Sequence, residues 1–121
     1  MAAAKINLFW QSPDFEFYAA GQTVFAEGQA GDEMYVIQAG AVGVYAGGCL
    51  VEVAGPGDVI GELALVDRLP RSATALAHTD SRLVPVDRER FEFLVQHEPS
   101  FALRVMQMMS RRLRALDSIG A

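Results

Sequence analysis

Short runs rich in valine, tyrosine and isoleucine dominate residues 17–86, and glycines separate these runs. The runs are four to seven residues long and read TVFA, MYVIQAG, VGVYA, CLVEVA and SRLVPV. Many short apolar runs with glycine turns at about 8–12-residue spacing are typical of a β-sandwich or barrel rather than a parallel α/β sheet. The Gly47-Gly48 pair between VGVYA and CLVEVA predicts a two-residue β-hairpin. This part of the chain is therefore predicted to be all-β.

Helices are expected on both sides of the β region. At the start we predict a short helix within residues 1–16, which Ser12-Pro13 would end. Its apolar anchors are Ile6, Leu8, Phe9 and Trp10. After the β region, residues 87–121 have a helical pattern with Asp87 as the N-cap of a first helix. Pro99 marks a break, and Ser100 is predicted to cap a longer, final helix.

The final helix carries a heptad-like apolar stripe with spacings of 4, 3, 4 and 3 residues. Its members are Ala102, Met106, Met109, Leu113 and Leu116. Such a stripe can pack on the domain's own β region or against a second copy of the chain. The sequence leaves both arrangements open.

The composition describes one soluble domain of 121 residues, 51% hydrophobic and 21% charged. The formal net charge of -5 argues against a whole-protein electrostatic grip on nucleic acid. No apolar run approaches the roughly 20 residues that span a membrane, and no signal-peptide pattern precedes QSPD. The single cysteine, Cys49, fits a reducing compartment. We therefore expect a cytoplasmic protein with no nucleic-acid or membrane partner.

Recognised metal-binding and catalytic motifs are absent from the sequence. It contains no HExxH, CxxC, P-loop or GxSxG pattern, and His78 and His97 have no ligand-like spacing to each other or to Cys49. We expect no metal and no enzymatic activity. A catalytic set assembled from distant residues is the alternative.

The segment GELALVDRLPRSAT, residues 61–74, has the chemistry of a ligand site. Glu62 and Arg71 lie nine positions apart in it. Arg71 can hold a phosphate with two parallel charge-assisted bonds, which lysine cannot reproduce. Glu62 would repel a phosphate, so its expected partner is a sugar hydroxyl. One acid for a hydroxyl and one base for a phosphate predict a ribose-phosphate site.

The rest of the segment supplies backbone groups and an apolar wall. Gly61 allows a close approach of the backbone, and a short helical turn beginning near Glu62 would direct N–H groups outward as an anion site. Ser72 adds a hydroxyl and Ala73 an amide. Leu63, Ala64 and Leu65 are the predicted apolar wall.

These residues resemble the cyclic nucleotide-binding domain of catabolite activator proteins, of the regulatory subunits of cAMP-dependent kinase and of cyclic-nucleotide-gated channels. GDVIGELALVDRLPRSATALA, residues 57–77, matches the family's phosphate-binding cassette, and EGQAGDEMYVIQAGAVGV, residues 27–44, matches its early strands. The resemblance extends over about residues 10–118. It implies a mainly β single domain over residues 1–121, an eight-stranded jelly-roll-like β-roll (a double-stranded β-helix) with a cassette at 57–74, a short N-terminal helix and C-terminal lid helices.

The resemblance also implies which residues bind the ligand. It assigns the ribose 2'-hydroxyl to Glu62 and the cyclic phosphate to Arg71, with Ser72 beside it. The backbone around Gly61, Leu63 and Ala73 would complete the phosphate cradle. Val51, at a strand end, is expected to touch the base. Arg112 matches a position on the final helix that pairs with the cassette glutamate in the bacterial regulators. A solvated arginine run on the final helix is the alternative for Arg112.

Three departures from the family pattern affect the ligand and the output. Leu116 and Asp117 stand where bacterial activators place hydroxyl residues that read adenine, so cAMP, cGMP and cyclic di-GMP stay open as ligands. Ser72, in place of the threonine typical of cGMP-selective members, favours cAMP. Few residues follow the final helix, so we expect no helix-turn-helix in this sequence. The Met1 start argues against an internal fragment but leaves a truncated C-terminus open.

Two hypotheses of different classes follow. The first is a cyclic nucleotide-binding regulatory domain that captures cAMP, moves its final helix and acts on an effector or in a homodimer. The second is a structural or interaction module that binds no nucleotide and acts through the final helix. Under the second, Glu62 and Arg71 would form a structural ion pair that closes a loop.

Overall fold

The structure is a computed structural model that describes residues 12–120, with side chains through residue 115. Its strands are β1 Glu16–Tyr18, β2 Thr23–Phe25, β3 Glu33–Ala39, β4 Val42–Ala46, β5 Cys49–Ala54, β6 Val59–Ile60, β7 Thr74–Ala77 and β8 Ser81–Asp87. Its helices are α1 Glu62–Asp67, α2 Arg88–His97 and α3 Pro99–Gly120.

The strands form two four-stranded antiparallel sheets, ordered β1-β8-β3-β6 and β2-β7-β4-β5. Strands distant in sequence are neighbours in space, since β8 lies between β1 and β3 while β7 lies between β2 and β4. The predicted fold class, a mainly β roll of eight strands with C-terminal helices, is confirmed. The predicted hairpin is confirmed as well: Ala46 pairs with Cys49, and Gly47 and Gly48 have φ values of 58° and 81°.

The start of the β region differs slightly from the prediction. Residues 12–15 contain no helix, and Glu16 already belongs to β1, where it pairs with Leu83 of β8. Pairing with a distant strand extends the sheet into the range predicted as helical. The rest of the predicted N-terminal helix, with its four apolar anchors, lies outside the described residues.

Alternate residues of β3 build two separate cores. Tyr35 and Ile37 belong to the core between the two sheets, whereas Met34 and Val36 belong to a second core against the helices. A strand buried on both faces reads as a continuous apolar run rather than an alternating one. The second core includes Leu65 of α1 and residues of α2 and α3, so the same sheet supports all three helices.

The α2 helix begins as predicted, because the Asp87 carboxylate accepts a hydrogen bond of 2.9 Å from the Arg90 amide. The expected cap of the final helix is wrong. α3 begins at Pro99, whose missing N–H is no loss at a first helical position, and this places Ser100 inside the first turn. No helix of the described residues is long and apolar enough to cross a membrane.

The face of α3 that packs on the roll lies one residue before the predicted stripe. Phe101, Val105 and Met108 are buried in the core beneath the helix. Met106 and Leu113 of the predicted stripe are 57% and 63% exposed. The helix has apolar residues on adjacent faces, and spacing alone does not distinguish the face that meets the roll.

We expect loss of the α2 cap to destabilise the domain. Asp87→Ala removes the acceptor for the Arg90 amide and should lower the free energy of unfolding by about 1 kcal/mol, measured by urea denaturation. Asp87→Asn keeps an acceptor and should stay near the wild-type value. Equal losses in the two variants would show that the cap hydrogen bond contributes nothing.

Candidate functional site

A cavity with about 640 Å³ of empty space, part of it open to solvent, lies where β2, β4, β5 and β6 meet α1 and α3. Nine of the ten residues predicted from the sequence for the ligand site line the cavity: Val51, Gly61, Glu62, Leu63, Ala64, Arg71, Ser72, Ala73 and Arg112. The tenth, Leu65 of the predicted apolar wall, is instead buried in the core against the helices. Residues 51 and 112 are thereby brought together with the cassette.

Sequence reasoning missed four apolar lining residues, Phe25, Val44, Ala46 and Ile60. They come from β2, β4 and β6. Period-2 alternation could have assigned them to the inner face of the roll. It does not show which inner residues fill the core and which border a cavity, because that depends on how the two sheets and α1 meet.

Gly61 permits both the start of α1 and the position of Arg71. It is the N-cap of α1 with φ 77°, a conformation that favours glycine. A Cβ at this position would lie 2.6 Å from Nη1 of Arg71. The predicted helical start at Glu62 is confirmed.

Arg71 is buried in the cavity wall, and the residue as a whole is only 6% exposed. Its Nη1 donates to the Gly61 carbonyl at 3.1 Å, and its Cζ lies 4.2 Å from the centroid of the Phe25 ring. Its Nε is buried without a hydrogen-bond partner among the described residues. Burial lowers the pKa of Arg71, an effect opposed by the charges of nearby groups that include Tyr35, Asp32 and Glu33.

Backbone hydrogen bonds fix the position of Arg71 in the chain. Its amide donates to the Gln29 carbonyl at 2.7 Å, and its carbonyl accepts from the Gly28 amide at 2.8 Å. The segment before β3 is therefore tied to the end of the cassette. This link explains why glycine-rich residues far upstream of the cassette belong to the same site.

The acidic groups near Arg71 remain at a distance from it. Burial raises the pKa of the Glu33 carboxyl, and the charges of Glu16 and Asp32 add to the effect. No ion pair within 4.0 Å joins Arg71 to a carboxylate among residues 12–115. The cavity thus contains a buried cation whose edge is not occupied by an anion of the described chain.

Glu62 pairs with Arg112 and not with Arg71. Its Oε1 accepts from Nη1 of Arg112 at 2.6 Å, and the two side chains are 3% and 11% exposed. Arg112 also contacts Glu52 at 3.2 Å and donates to the Val59 carbonyl. The solvated alternative for Arg112 is therefore wrong, as is the structural Glu62–Arg71 ion pair.

Two further arginines connect α3 to the roll. Arg104 pairs with Asp58 at 2.5 Å, and Arg111 pairs with Glu52 at 3.1 Å and with Asp58 at 3.5 Å. The hydrogen bond to Glu52 raises the pKa of Arg111. We call Arg104, Arg111 and Arg112 with their carboxylates Glu52, Asp58 and Glu62 the α3 ion-pair network.

Most of this network was not predicted from the sequence. Arg104, Arg111 and Arg112 are spaced i, i+7 and i+8, which places them on one face of a helix. That spacing was the available signal. The acceptors could not be predicted because Glu52 and Asp58 come from β5 and the turn before β6, and only the roll brings them to α3.

The side chains of Leu116 and Asp117, the predicted base-reading positions, lie outside the described residues. Within residues 12–115 there is no group of three or more His, Cys, Asp or Glu side chains placed to hold a metal ion.

Comparison with known proteins places these features in context. Residues 15–98 match the model of a family described as cyclic nucleotide-binding domain. The CRP-like cAMP-activated global transcriptional regulator of Mycobacterium tuberculosis is 33% identical over 122 residues, covering 97% of this chain and 53% of the relative. The chain thus spans about half the length of this curated relative.

Solved structures agree with the sequence matches. The catabolite activator protein of Thermus thermophilus superposes with a TM-score of 0.74 and 30% identity, over 95% of this chain and 55% of that one. An EAL enzyme in its cGMP-bound form gives a TM-score of 0.65 and 31% identity, over 88% of this chain and 31% of that one. Its cAMP-bound form gives a TM-score of 0.65 and 27% identity, over 88% and 29%.

We expect Arg112 to matter more for stability than its neighbour Arg111. Arg112→Gln leaves the nearly buried Glu62 carboxylate without its cation and should lower the free energy of unfolding by about 3–5 kcal/mol in urea denaturation. Arg111→Gln removes a half-exposed side chain from the same helix and should change it by less than about 1 kcal/mol. The double variant Glu62→Gln/Arg112→Gln should recover part of the loss. Similar losses in both single variants would contradict the assignment.

Proposed function

Because the chain belongs to the cyclic nucleotide-binding domain family, we propose that it is a regulatory domain that binds cAMP and signals through α3. The single observation that carries the ligand proposal is the state of Arg71. Its guanidinium is buried in a cavity, one of its nitrogens has no hydrogen-bond partner among the described residues, and no carboxylate of those residues pairs with it. A bound phosphate would meet these requirements.

In this proposal the two ends of the cassette recognise different parts of the ligand. Arg71 donates two parallel bonds to the cyclic phosphate, and Ser72 with the backbone around Gly61, Leu63 and Ala73 completes the cradle. Glu62 accepts a hydrogen bond from the ribose 2'-hydroxyl. An ionised carboxylate has several acceptor positions, so Glu62 can accept from the sugar while Oε1 keeps its bond to Arg112.

Sharing of Glu62 couples the ligand to α3. Arg112 reaches Glu62 only when α3 lies against the roll. A ligand that fixes the Glu62 carboxylate in this position therefore favours the same conformation as the Arg112–Glu62 ion pair, with α3 closed on the roll. A ligand shifts such an equilibrium by its difference in affinity for the two states. We propose that cyclic nucleotide binding favours the closed position of α3 and that this movement is the output of a regulator rather than a step of catalysis.

The preference for cAMP over cGMP is the finer part of the proposal. The matched relative from Mycobacterium tuberculosis is named as cAMP-activated. The EAL enzyme is known in a cGMP-bound form and in a cAMP-bound form, which keeps cGMP as the alternative ligand of this chain. Ser72 favours cAMP through the resemblance, and Val51 in the cavity wall is the expected contact for the base.

A second candidate function rests on the outward face of α3. Leu103, Met106 and Leu113 are 49%, 57% and 63% exposed on it. Exposed apolar residues at helical spacing favour packing against a second copy of the chain or an effector protein. This interaction can accompany nucleotide binding, or it can be the whole function if the domain binds no nucleotide.

Titration of the purified chain tests the ligand proposal. By isothermal calorimetry we expect cAMP to bind more tightly than cGMP, and cyclic di-GMP to bind weakly. Arg71→Ala should weaken cAMP binding at least tenfold, since truncation of a buried charged partner costs about 2–5 kcal/mol. Arg71→Lys should also bind more weakly, because an ammonium does not reproduce the guanidinium fork.

Arg68→Ala is the matched control for this experiment. Arg68 lies in the same cassette and carries the same charge, but its side chain is exposed. Its loss should leave the affinity nearly unchanged. Equal affinities of wild type and Arg71→Ala would reject the role of Arg71.

Thermal melting separates the two candidate functions. A ligand that binds only the folded state stabilises it by about 2.7 kcal/mol at a concentration of 100 times Kd. We therefore expect a rise of several degrees in Tm with saturating cAMP. Absence of a rise with cAMP, cGMP and cyclic di-GMP would favour the interaction module that binds no nucleotide.

A further inference from the structure

The aromatic ring of Phe25 is the partner of the Arg71 guanidinium inside the cavity. Phe25 ends β2, is 7% exposed and lines the cavity together with Arg71. Arg71 Cζ lies over the ring at 4.2 Å from its centroid, within the range of a cation–π interaction. No motif in the sequence connects residue 25 to the cassette. The pairing of β2 with β7, together with the backbone bonds of Gly28 and Gln29 to Arg71, brings them together.

Phe25 is itself held by a second aromatic residue. Its ring stacks on Tyr35 with centroids 6.1 Å apart and an interplanar angle of 23°. Tyr18 meets Tyr35 edge-on at 6.5 Å. Because Phe25 belongs to one sheet and Tyr35 to the other, this stack spans the core between the sheets. The orientation of the ring under Arg71 is therefore determined by the roll and not by the cassette.

An aromatic partner compensates the charge of Arg71 without occupying its N–H donors, as a carboxylate partner would. A buried guanidinium needs electrostatic compensation, and burial lowers the pKa of Arg71. A carboxylate would bind the N–H groups at the edge of the guanidinium, which are the donors that a phosphate requires. The negative face of a ring stabilises the cation through its plane and leaves the edge available. The unpartnered Nε of Arg71 agrees with this division.

Gly31 adds a second constraint on the same guanidinium. A Cβ at position 31 would lie 2.3 Å from Nε and 2.4 Å from Cζ of Arg71. Gly31 does not have a positive φ, so the requirement there is space rather than backbone conformation. The guanidinium is the flexible end of its side chain. A methyl group at position 31 would therefore displace Arg71 and leave the fold intact.

We propose that Phe25 is a positioning residue for phosphate recognition. Its ring holds the plane of the Arg71 guanidinium so that the N–H edge faces the anionic group of the ligand. The absence of a side chain at Gly31 leaves the space that the guanidinium occupies. This role rests on the proposed function, since it concerns how that same site binds a cyclic nucleotide. It gives Phe25 an effect on affinity beyond its contribution to the apolar core.

Fluorination of the Phe25 ring tests the electrostatic part of this role. Mono-, di- and trifluorophenylalanine, introduced at position 25 by nonsense suppression, weaken the negative face while the shape changes little. We expect the calorimetric affinity for cAMP to fall stepwise with each fluorine. Phe25→Leu, which removes the face but keeps an apolar side chain, should lose about 2- to 30-fold.

The same series at Phe101 is the matched control. Phe101 is a buried phenylalanine in the other core, under α3, and it does not line the cavity. Fluorination there should alter Tm without a stepwise change in cAMP affinity. A parallel decline at both positions would show that Phe25 acts through packing alone and would overturn the proposal.

A pair of glycine variants tests the positional part. Gly31→Ala should weaken cAMP binding at least threefold while Tm changes little. Gly55→Ala is its control, since Gly55 has no positive φ and its Cβ would meet no atom within 4 Å. Unchanged affinity in Gly31→Ala would show that the guanidinium is not held where the structure places it.

The outcomes separate this role from the proposed function. A wild-type chain that binds no cyclic nucleotide in calorimetry would overturn the proposed function and the role of Phe25 together. A wild-type chain that binds cAMP, with affinity independent of fluorination at position 25, would overturn the role of Phe25 alone. The Nε proton of Arg71 provides a readout without ligand, because the ring current of Phe25 should shift its NMR resonance upfield and Phe25→Leu should abolish that shift.

Discussion

The burial of Arg71 without a carboxylate partner is the constraint on which the rest of the site depends. A charged group removed from water is tolerated only when its surroundings replace part of the lost hydration. Here the Phe25 face, the Gly61 carbonyl and the charges of Asp32 and Glu33 supply that replacement, while bonds to Gly28 and Gln29 fix the backbone. None of these contacts is an ion pair, so Arg71 keeps the capacity to form one.

The α3 ion-pair network complements this arrangement. It joins Glu52, Asp58 and Glu62 to three arginines of one helix face, so Glu62, the carboxylate among the described residues that line the cavity, already has a cationic partner. A phosphate that enters the cavity then meets Arg71 without an uncompensated carboxylate among the described lining residues. The positions of α3 and of the anion are thereby linked, because withdrawal of the helix would expose Glu62 as a bare negative charge.

The sequence was sufficient for the parts of the molecule that depend on local chemistry. Asp87 caps α2, Gly47-Gly48 forms the hairpin, and α1 begins at Glu62 because each depends on residues near one another in the chain. Most contacts between segments distant in the sequence could not be predicted from it. Nothing in β2 indicates that Phe25 lies under Arg71, and the strand pairs that place Glu52 beside Arg112 follow from sheet topology rather than from spacing. Spacing likewise predicted an apolar stripe on α3 but did not show that the adjacent face, with Phe101, Val105 and Met108, packs on the roll.

The two proposed functions become one if α3 is shared between ligand and partner. The inward face of the helix carries the arginines that hold Glu52, Asp58 and Glu62, and the outward face exposes Leu103, Met106 and Leu113. A partner that binds α3 better in its closed position would raise the affinity of the domain for the nucleotide. By thermodynamic linkage, the nucleotide would raise the affinity for that partner by the same factor. In the proposed function one helix would both complete the nucleotide site and carry the interaction surface, and this shared element is what would couple the two binding events.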